Sequence, residues 1–261
     1  MKFEQYRGAT STVEFAGKRF LIDPMFAPVF SYPQVPFTKN YAKGNPTVDG
    51  PFDPVKLLNF DALIVTHLHF DHFDEAAIRV LPKDRPTFVQ SLTNKSVLEH
   101  YGFTNVIMLS EEGTKHGDVL LYKTSCNHGS LDPMSNDFYQ KIGIDNDAMG
   151  VVFKSPEESK VLYLAGDTVW YDKVEENILK YKPDVIVVNA AGAEFPENHS
   201  IIMNVADVEK ICQFASSSTI VASHMDAVSH ATVSRKDLQK LIEEKHITNL
   251  LIPSDGQVLS F

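Results

Sequence analysis

The 261-residue chain carries only two cysteines, Cys126 and Cys212, and a single tryptophan, Trp170. Two cysteines make no disulfide framework, which excludes the small secreted scaffolds stapled by several bridges. No apolar run comes near the roughly 18 residues that a membrane-spanning helix needs. The opening residues, MKFEQYRGATS, hold no apolar core of signal-peptide length. A cytoplasmic protein with no membrane span is therefore expected. Basic side chains are also in deficit: 24 Lys and Arg stand against 34 Asp and Glu, for a formal charge of −10. A large nucleic-acid footprint needs a basic patch, so nucleic acid is disfavoured as a partner and a small-molecule substrate is expected. The pattern leaves room for a homo-oligomer.

Hydrophobic residues make up 43% of the chain and charged residues 22%, as in ordinary globular proteins. No stretch reads as a linker, so residues 1–261 are expected to form one domain. Short β-branched runs at Ala62–Val65, Val119–Thr124, Val161–Leu164, Val185–Val188, Thr219–Ala222 and Asn249–Ile252 read as buried strands. Thr12–Phe15 and Arg19–Ile22, joined through Ala16-Gly17-Lys18, read as an opening hairpin. Helical spacing follows in three places: Val174, Ile178 and Tyr181, stopped by Pro183; Val205, Val208, Ile211 and Ala215; and Leu238, Leu241 and Ile242, with Ser234 and Asp237 as a capping box. Strands alternating with helices predict an α/β architecture.

Two stretches break that rhythm. Residues 24–54 hold seven of the 14 prolines (Pro24, Pro28, Pro33, Pro36, Pro46, Pro51 and Pro54) together with Phe26, Phe30, Tyr32, Phe37, Tyr41 and Phe52. Proline fixes φ and removes a donor, so an ordered loop is expected there. Residues 129–147 read as a second long loop. Loops of this length often carry function.

The chemistry concentrates in Thr66-His67-Leu68-His69-Phe70-Asp71-His72, directly after a predicted strand. Imidazole nitrogen and carboxylate oxygen suit zinc, manganese and iron. One ion does not easily use all four side chains, which suggests two adjacent ions. A structural explanation would need three histidines packed into one turn of an acidic protein. His128, Asp167 and His224 each follow another predicted strand, where ligands gather in α/β sheets. Each is weak evidence alone.

His67-Leu68-His69-Phe70-Asp71-His72 resembles the H-x-H-x-D-H signature of the metallo-β-lactamase superfamily, and His128, Asp167 and His224 match its three later motifs in order. The resemblance runs from the hairpin with Ile22-Asp23-Pro24 to the final strand. It implies an αββα four-layer sandwich, two mixed sheets flanked by helices. It further implies that His67, His69 and His128 hold one divalent ion, that Asp71, His72 and His224 hold a second, and that Asp167 bridges them. Zinc and manganese lead as the ions, with iron third.

Two ions roughly 4 Å apart share a water and bring its pKa toward neutrality, giving a hydroxide that attacks carbonyl carbon or phosphorus. Asp71 is expected to orient that hydroxide and to shuttle a proton. The flavin-linked di-iron branch places a carboxylate where this chain has His69, which argues against a redox role. The compact length, Asp23-Pro24 and Ala165-Gly166-Asp167-Thr168-Val169-Trp170 are most similar to the ascorbate-phosphate lactonase branch. The expected activity is thus hydrolysis of a small ester or lactone. A phosphodiesterase of the same superfamily is the alternative, and a non-catalytic metal-binding or scaffold protein is the alternative of another class. Structural zinc sites are usually closed and cysteine-rich, unlike this one. His199 and His230 are weaker candidates for substrate contact, since histidine on a loop is often only solvated. Cys126, Trp170 and Tyr171 lie beside the motifs, and packing explains them at least as well.

Overall fold

A computed structural model describes residues 1–38, 44–50 and 53–261. Among them the chain builds two seven-stranded sheets and a short two-stranded pair. Strands β1 (Lys2–Arg7), β2 (Thr10–Phe15) and β3 (Lys18–Ile22) form an antiparallel meander, and β4 (Ala62–Ile64), β5 (Thr87–Val89) and β6 (Val106–Met108) extend it in parallel. The second sheet repeats that plan. Strands β7 (Thr114–His116), β8 (Val119–Ser125), β9 (Met149–Ser155) and β10 (Glu158–Leu164) are antiparallel, and β11 (Val185–Asn189) is parallel to β10. A short pair, β12 (Glu194–Phe195) and β13 (His199–Ser200), follows. Strands β14 (Thr219–Ser223) and β15 (Leu250–Leu251) continue the second sheet in parallel, and β16 (Val258–Ser260) closes back antiparallel onto β1. The sequence shows no internal repeat; the repetition lies in the topology.

The period of two in each strand explains the layers. In β11, Val185 and Val187 face the other sheet while Ile186 and Val188 face helices. The core between the sheets holds Phe15, Phe20 and Phe153, with Phe20 and Phe153 edge-to-face at 5.2 Å. Helices α1 (Glu75–Val80) and α2 (Leu92–His100) cover the outside of the first sheet, around Leu63, Val65 and Leu98. Beyond α3 (Pro133–Ile142), helices α4 (Asp172–Tyr181), α5 (Val205–Phe214) and α6 (Arg235–Lys245) cover the outside of the second. This is the expected αββα order.

The three predicted helices are α4, α5 and α6, which bury the residues whose spacing marked them except Val205 and Ile242, both half-buried, and the Ser234–Asp237 capping box is present. The opening hairpin turns through Ala16-Gly17 alone, because Lys18 already pairs with Phe15.

The second predicted loop needs correction: residues 129–147 contain α3. Asp132 accepts from the Ser135 amide, Pro133 occupies the first turn and Gly143 ends the helix in the left-handed region. That is ordinary start-and-stop chemistry. It was masked by the short apolar face, which is Phe138, Tyr139 and Ile142 only. Residues 24–54 are irregular where described, with one isolated bridge between Tyr32 and Asn45 before a 3₁₀ turn over Pro54–Leu58. Tyr41, Pro51 and Phe52 lie outside the described residues.

Candidate metal centre

Four strand ends converge on one edge of the sandwich. The chain leaves β4 through Val65 and winds tightly, the His72 and Phe73 amides both donating to the His69 carbonyl at 2.9 Å. His67, His69, Asp71 and His72 are thereby gathered before the Asp74 cap of α1. His128 follows β8, Asp167 follows β10 and His224 follows β14. The turns are tied together: the Asn127 amide donates to Thr168 Oγ1 at 2.9 Å, and the Val169 amide donates to the Asn127 carbonyl at 3.0 Å. Gly166, at φ +72°, lies so close to the Met149 carbonyl that a Cβ would sit 2.4 Å from its oxygen, so only glycine admits this turn.

The seven residues form three overlapping groups whose ligand atoms lie within 4.8 Å of one another: His67, His69 and His128; His67, His72 and Asp167; and Asp71, His72 and His224. Asp167 Oδ2 is 3.2 Å from His72 Nε2 and 3.8 Å from the Nε2 atoms of both His67 and His128. Its Oδ1 accepts from Asn189 Nδ2 at 2.6 Å. Asp71 Oδ2 lies 3.5 Å from His224 Nε2 and 3.3 Å from His230 Nε2. All seven expected ligands are thus brought together.

Outer partners fix which ring nitrogen faces inward at His67, His69, His72 and His128. A carbonyl can only accept, so His128 Nδ1, 2.7 Å from the Ile201 carbonyl, carries the proton and leaves the Nε2 lone pair free. His69 does the reverse, donating from Nε2 to the Asp145 carbonyl and turning Nδ1 inward. Thr66 Oγ1 donates to Asp23 Oδ2 at 2.7 Å and so accepts from His67 Nδ1 at 3.1 Å; His67 Nε2 is then buried with no hydrogen-bond partner. His72 Nδ1 donates to Asp23 Oδ2 at 2.9 Å, which frees its Nε2. Four inward lone pairs, held by outer acceptors and accompanied by two carboxylates, are the donor set of a divalent cation site. The orphaned Nε2 of His67 fits a cation and little else.

Burial and the neighbouring imidazoles His72 and His69 hold His67 well below its ordinary value, and burial lowers His69 and brings His128 to about 4. Burial also opposes charge on His72 and His224, but the Asp167 carboxylate, together with Asp23 at His72 and Asp71 at His224, outweighs it and raises both, His72 strongly. Burial alone would raise Asp71 and Asp167. Hydrogen bonds from His224 and His230, with the His72 charge, reverse this at Asp71, and His72, His224 and His128 together do so at Asp167, holding both carboxyls well below their ordinary value.

Two functional residues escaped the sequence reading. Asp23 follows β3 and orients His72 directly and His67 through Thr66; its signal was the strand-end position already used for the other ligands. Tyr139 is nine-tenths or more buried on α3, its hydroxyl 2.9 Å from His128 Nε2. Burial and the Asp167 and Asp71 charges keep that phenol protonated, well above its ordinary value.

A cavity of about 250 Å³ opens over the cluster. His69, Asp71, His128, Asp167 and His230 reach its floor, and its walls include Leu68, Phe70, Tyr139, Ile142, Phe195 and Ile201. Among the described residues no lysine or arginine lines it. The proline-rich segment contributes Val35 and Thr38 and packs Tyr32 against Phe70 and Phe37 against Phe138 in tilted ring pairs. His199 is not in this lining; its Nδ1 lies 2.8 Å from Asp132 Oδ2. The Cys126 thiol donates to the Ala165 carbonyl, while Trp170 and Tyr171 pack against the helix-covered core.

Fold and site together define a metallo-hydrolase, and comparison with known proteins agrees. The beta-lactamase superfamily domain matches residues 18–225, and the chain belongs to that superfamily, among its UPF0173 metal-dependent hydrolases. UPF0173 protein YddR of Bacillus subtilis is 40% identical over 263 residues, covering 100% of both chains. A UPF0173 metal-dependent hydrolase of Caldivirga maquilingensis is 30% identical over 187 residues, 70% of this chain and 67% of that one. Among solved structures, the isothiocyanate hydrolase from Delia radicum gut bacteria superposes with a TM-score of 0.93 at 34% identity, covering 100% of this chain and 99% of that one. Among the described residues no helix is long and apolar enough to cross a membrane.

Proposed function

We propose that this hydrolase, acting as one domain in the cytoplasm, adds water to a small, uncharged, largely apolar electrophile, with isothiocyanates as the first candidates. The observation that carries the reading is the cavity, whose apolar walls end on a floor of metal-competent side chains with no described cation to recognise a phosphate. Pockets of this make-up select apolar bodies and orient one polar centre. The likeness to the isothiocyanate hydrolase adds a chemical class of the right size and polarity. Esters and lactones without charge fit the same cavity and form the second reading; the described lining gives a phosphodiester less support.

His67, His69 and His128 would hold one divalent ion and Asp71, His72 and His224 another, with Asp167 between them, and zinc or manganese suits this donor set. When bound, such ions lower the pKa of water and stabilise charge developing on oxygen. The chain's own residues do the rest. Asp71, ionised and facing the cavity, accepts a proton from the attacking water and returns it to the departing nitrogen or oxygen. His230, 3.3 Å from Asp71 Oδ2, holds that carboxylate in place, and the apolar walls exclude bulk water. On an isothiocyanate, the water oxygen bonds to the central carbon and the two protons pass to nitrogen and sulfur, giving a thiocarbamic acid that splits into amine and carbonyl sulfide.

The test is a substrate panel on zinc- and manganese-reconstituted protein: phenethyl and allyl isothiocyanate, an uncharged lactone, an aryl ester and a phosphodiester. Turnover of the neutral substrates, with isothiocyanate consumed and amine released, is expected. Turnover of the phosphodiester alone would overturn the reading.

A further inference from the structure

We propose that the Tyr139 hydroxyl is a catalytic hydrogen-bond donor, aimed at the heteroatom on which negative charge develops as water adds to the substrate. This rests on the hydrolase reading but not on which neutral electrophile is used. His128 Nδ1 donates to the Ile201 carbonyl, so Nε2 is the acceptor and Tyr139 donates to it at 2.9 Å. A cation on His128 takes that same lone pair. Tyr139 then keeps a buried O–H with no other hydrogen-bond partner among the described residues, on the wall of the cavity and beside its floor. A buried donor needs an acceptor, and the cavity is where one arrives.

Of the other polar lining groups, only His230 keeps an unpartnered buried nitrogen among the described residues, its Nδ1, while its Nε2 is turned to Asp71. Thr38 donates to the Val35 carbonyl at 2.9 Å. The phenol ring is held independently of its oxygen, edge-on to Phe195 at 5.1 Å and stacked near His69 at 5.8 Å. Gly129, at φ +84°, allows α3 to lie this close: a Cβ there would stand 2.9 Å from Ile201 Cγ2 and 3.1 Å from Tyr139 Cε2. In the step, the water oxygen bonds to the substrate carbon and one π pair moves onto the heteroatom. Tyr139 donates a hydrogen bond to that pair without giving up its proton, and Asp71 delivers the proton taken from water.

The test is Tyr139→Phe, which removes one oxygen. Loss of a single donor to a developing anion lowers kcat by about a hundredfold, and KM should stay within about threefold of the unsubstituted protein. Zinc should bind the variant at least as tightly, since no Tyr139–His128 hydrogen bond has to break. Zinc affinity that falls in step with activity would make Tyr139 a ligand or a prop and overturn the proposal, as would an unchanged kcat. Thiocyanate binding to the cobalt-substituted protein, read from its visible bands, separates this from failure of the substrate assignment. The anion should bind Tyr139→Phe about tenfold more weakly even if no neutral electrophile is turned over, and equal binding would overturn the donor role.

Discussion

Replacing Asp23 with asparagine changes one atom outside the metal-competent cluster, yet it should weaken metal binding sharply. Asp23 Oδ1 accepts from the Thr66 amide at 2.7 Å, and Oδ2 accepts from both Thr66 Oγ1 at 2.7 Å and His72 Nδ1 at 2.9 Å. Asparagine can keep the first bond, but its NH2 group then faces two donors. His72 relieves the conflict by moving its proton to Nε2, which turns an N–H into the cluster in place of a lone pair. Thr66 loses its acceptor too, so His67 loses the partner that fixed its tautomer.

Loss of such an outer partner typically costs 10–100-fold in metal affinity, or about 1.4–2.8 kcal/mol at ~1.4 kcal/mol per tenfold. The metal-free protein should lose a further ~1.5–3 kcal/mol of stability with its charge-assisted hydrogen bonds. Competitive titration of metal-free protein with zinc against a chromophoric chelator measures the first effect, and urea unfolding measures the second. Zinc affinity equal to that of the unsubstituted protein would refute the tautomer reasoning.

Asp71→Asn should lower turnover by at least about a hundredfold, the scale of a lost proton carrier, while the metal-loaded protein keeps its fold by circular dichroism. Metal affinity should fall as pH falls, because below its raised value His72 carries a proton that a cation must expel. The slope reaches about tenfold per pH unit for each proton displaced; it begins above the ordinary histidine range and is read by calorimetry between pH 6 and 8. Gly129→Ala should destabilise by roughly 2–4 kcal/mol, from a strained positive φ and the close approach to Ile201 and Ser135, measured by urea unfolding. Phe153→Ala should cost about 3–5 kcal/mol, because its fully buried ring meets Phe15 and Phe20 at 5.7 and 5.2 Å between the sheets.

The densest signals in the sequence were those set by local chemistry. His67 through His72 sit within one turn, and their spacing alone marked a cation site. Helices α4, α5 and α6 showed a sustained apolar period that needs no tertiary knowledge. What escaped was decided by packing. Met149–Ser155 lies sandwiched in the second sheet, buried on both faces through Val151, Val152 and Phe153, so it lacks the alternation that marks a half-exposed strand. Strands of three residues, Thr87–Val89 and Val106–Met108, are too short to show a period. Helices α1 and α2 bury few residues each, and α3 was absorbed into a loop although Asp132-Pro133 and Gly143 bracket it. Asp23 and Tyr139 act through partners 43 or more and 11 residues away, Thr66 and His72 for one and His128 for the other, and no spacing rule joins them.

Isothiocyanate turnover by chelator-stripped protein, followed as zinc or manganese is titrated back, tests the central claim most directly. The account predicts no turnover without metal and a rise to a plateau near two ions per chain, one for His67, His69 and His128 and one for Asp71, His72 and His224. Full turnover by the stripped protein, or two bound ions with no hydrolysis of any neutral electrophile, would contradict it.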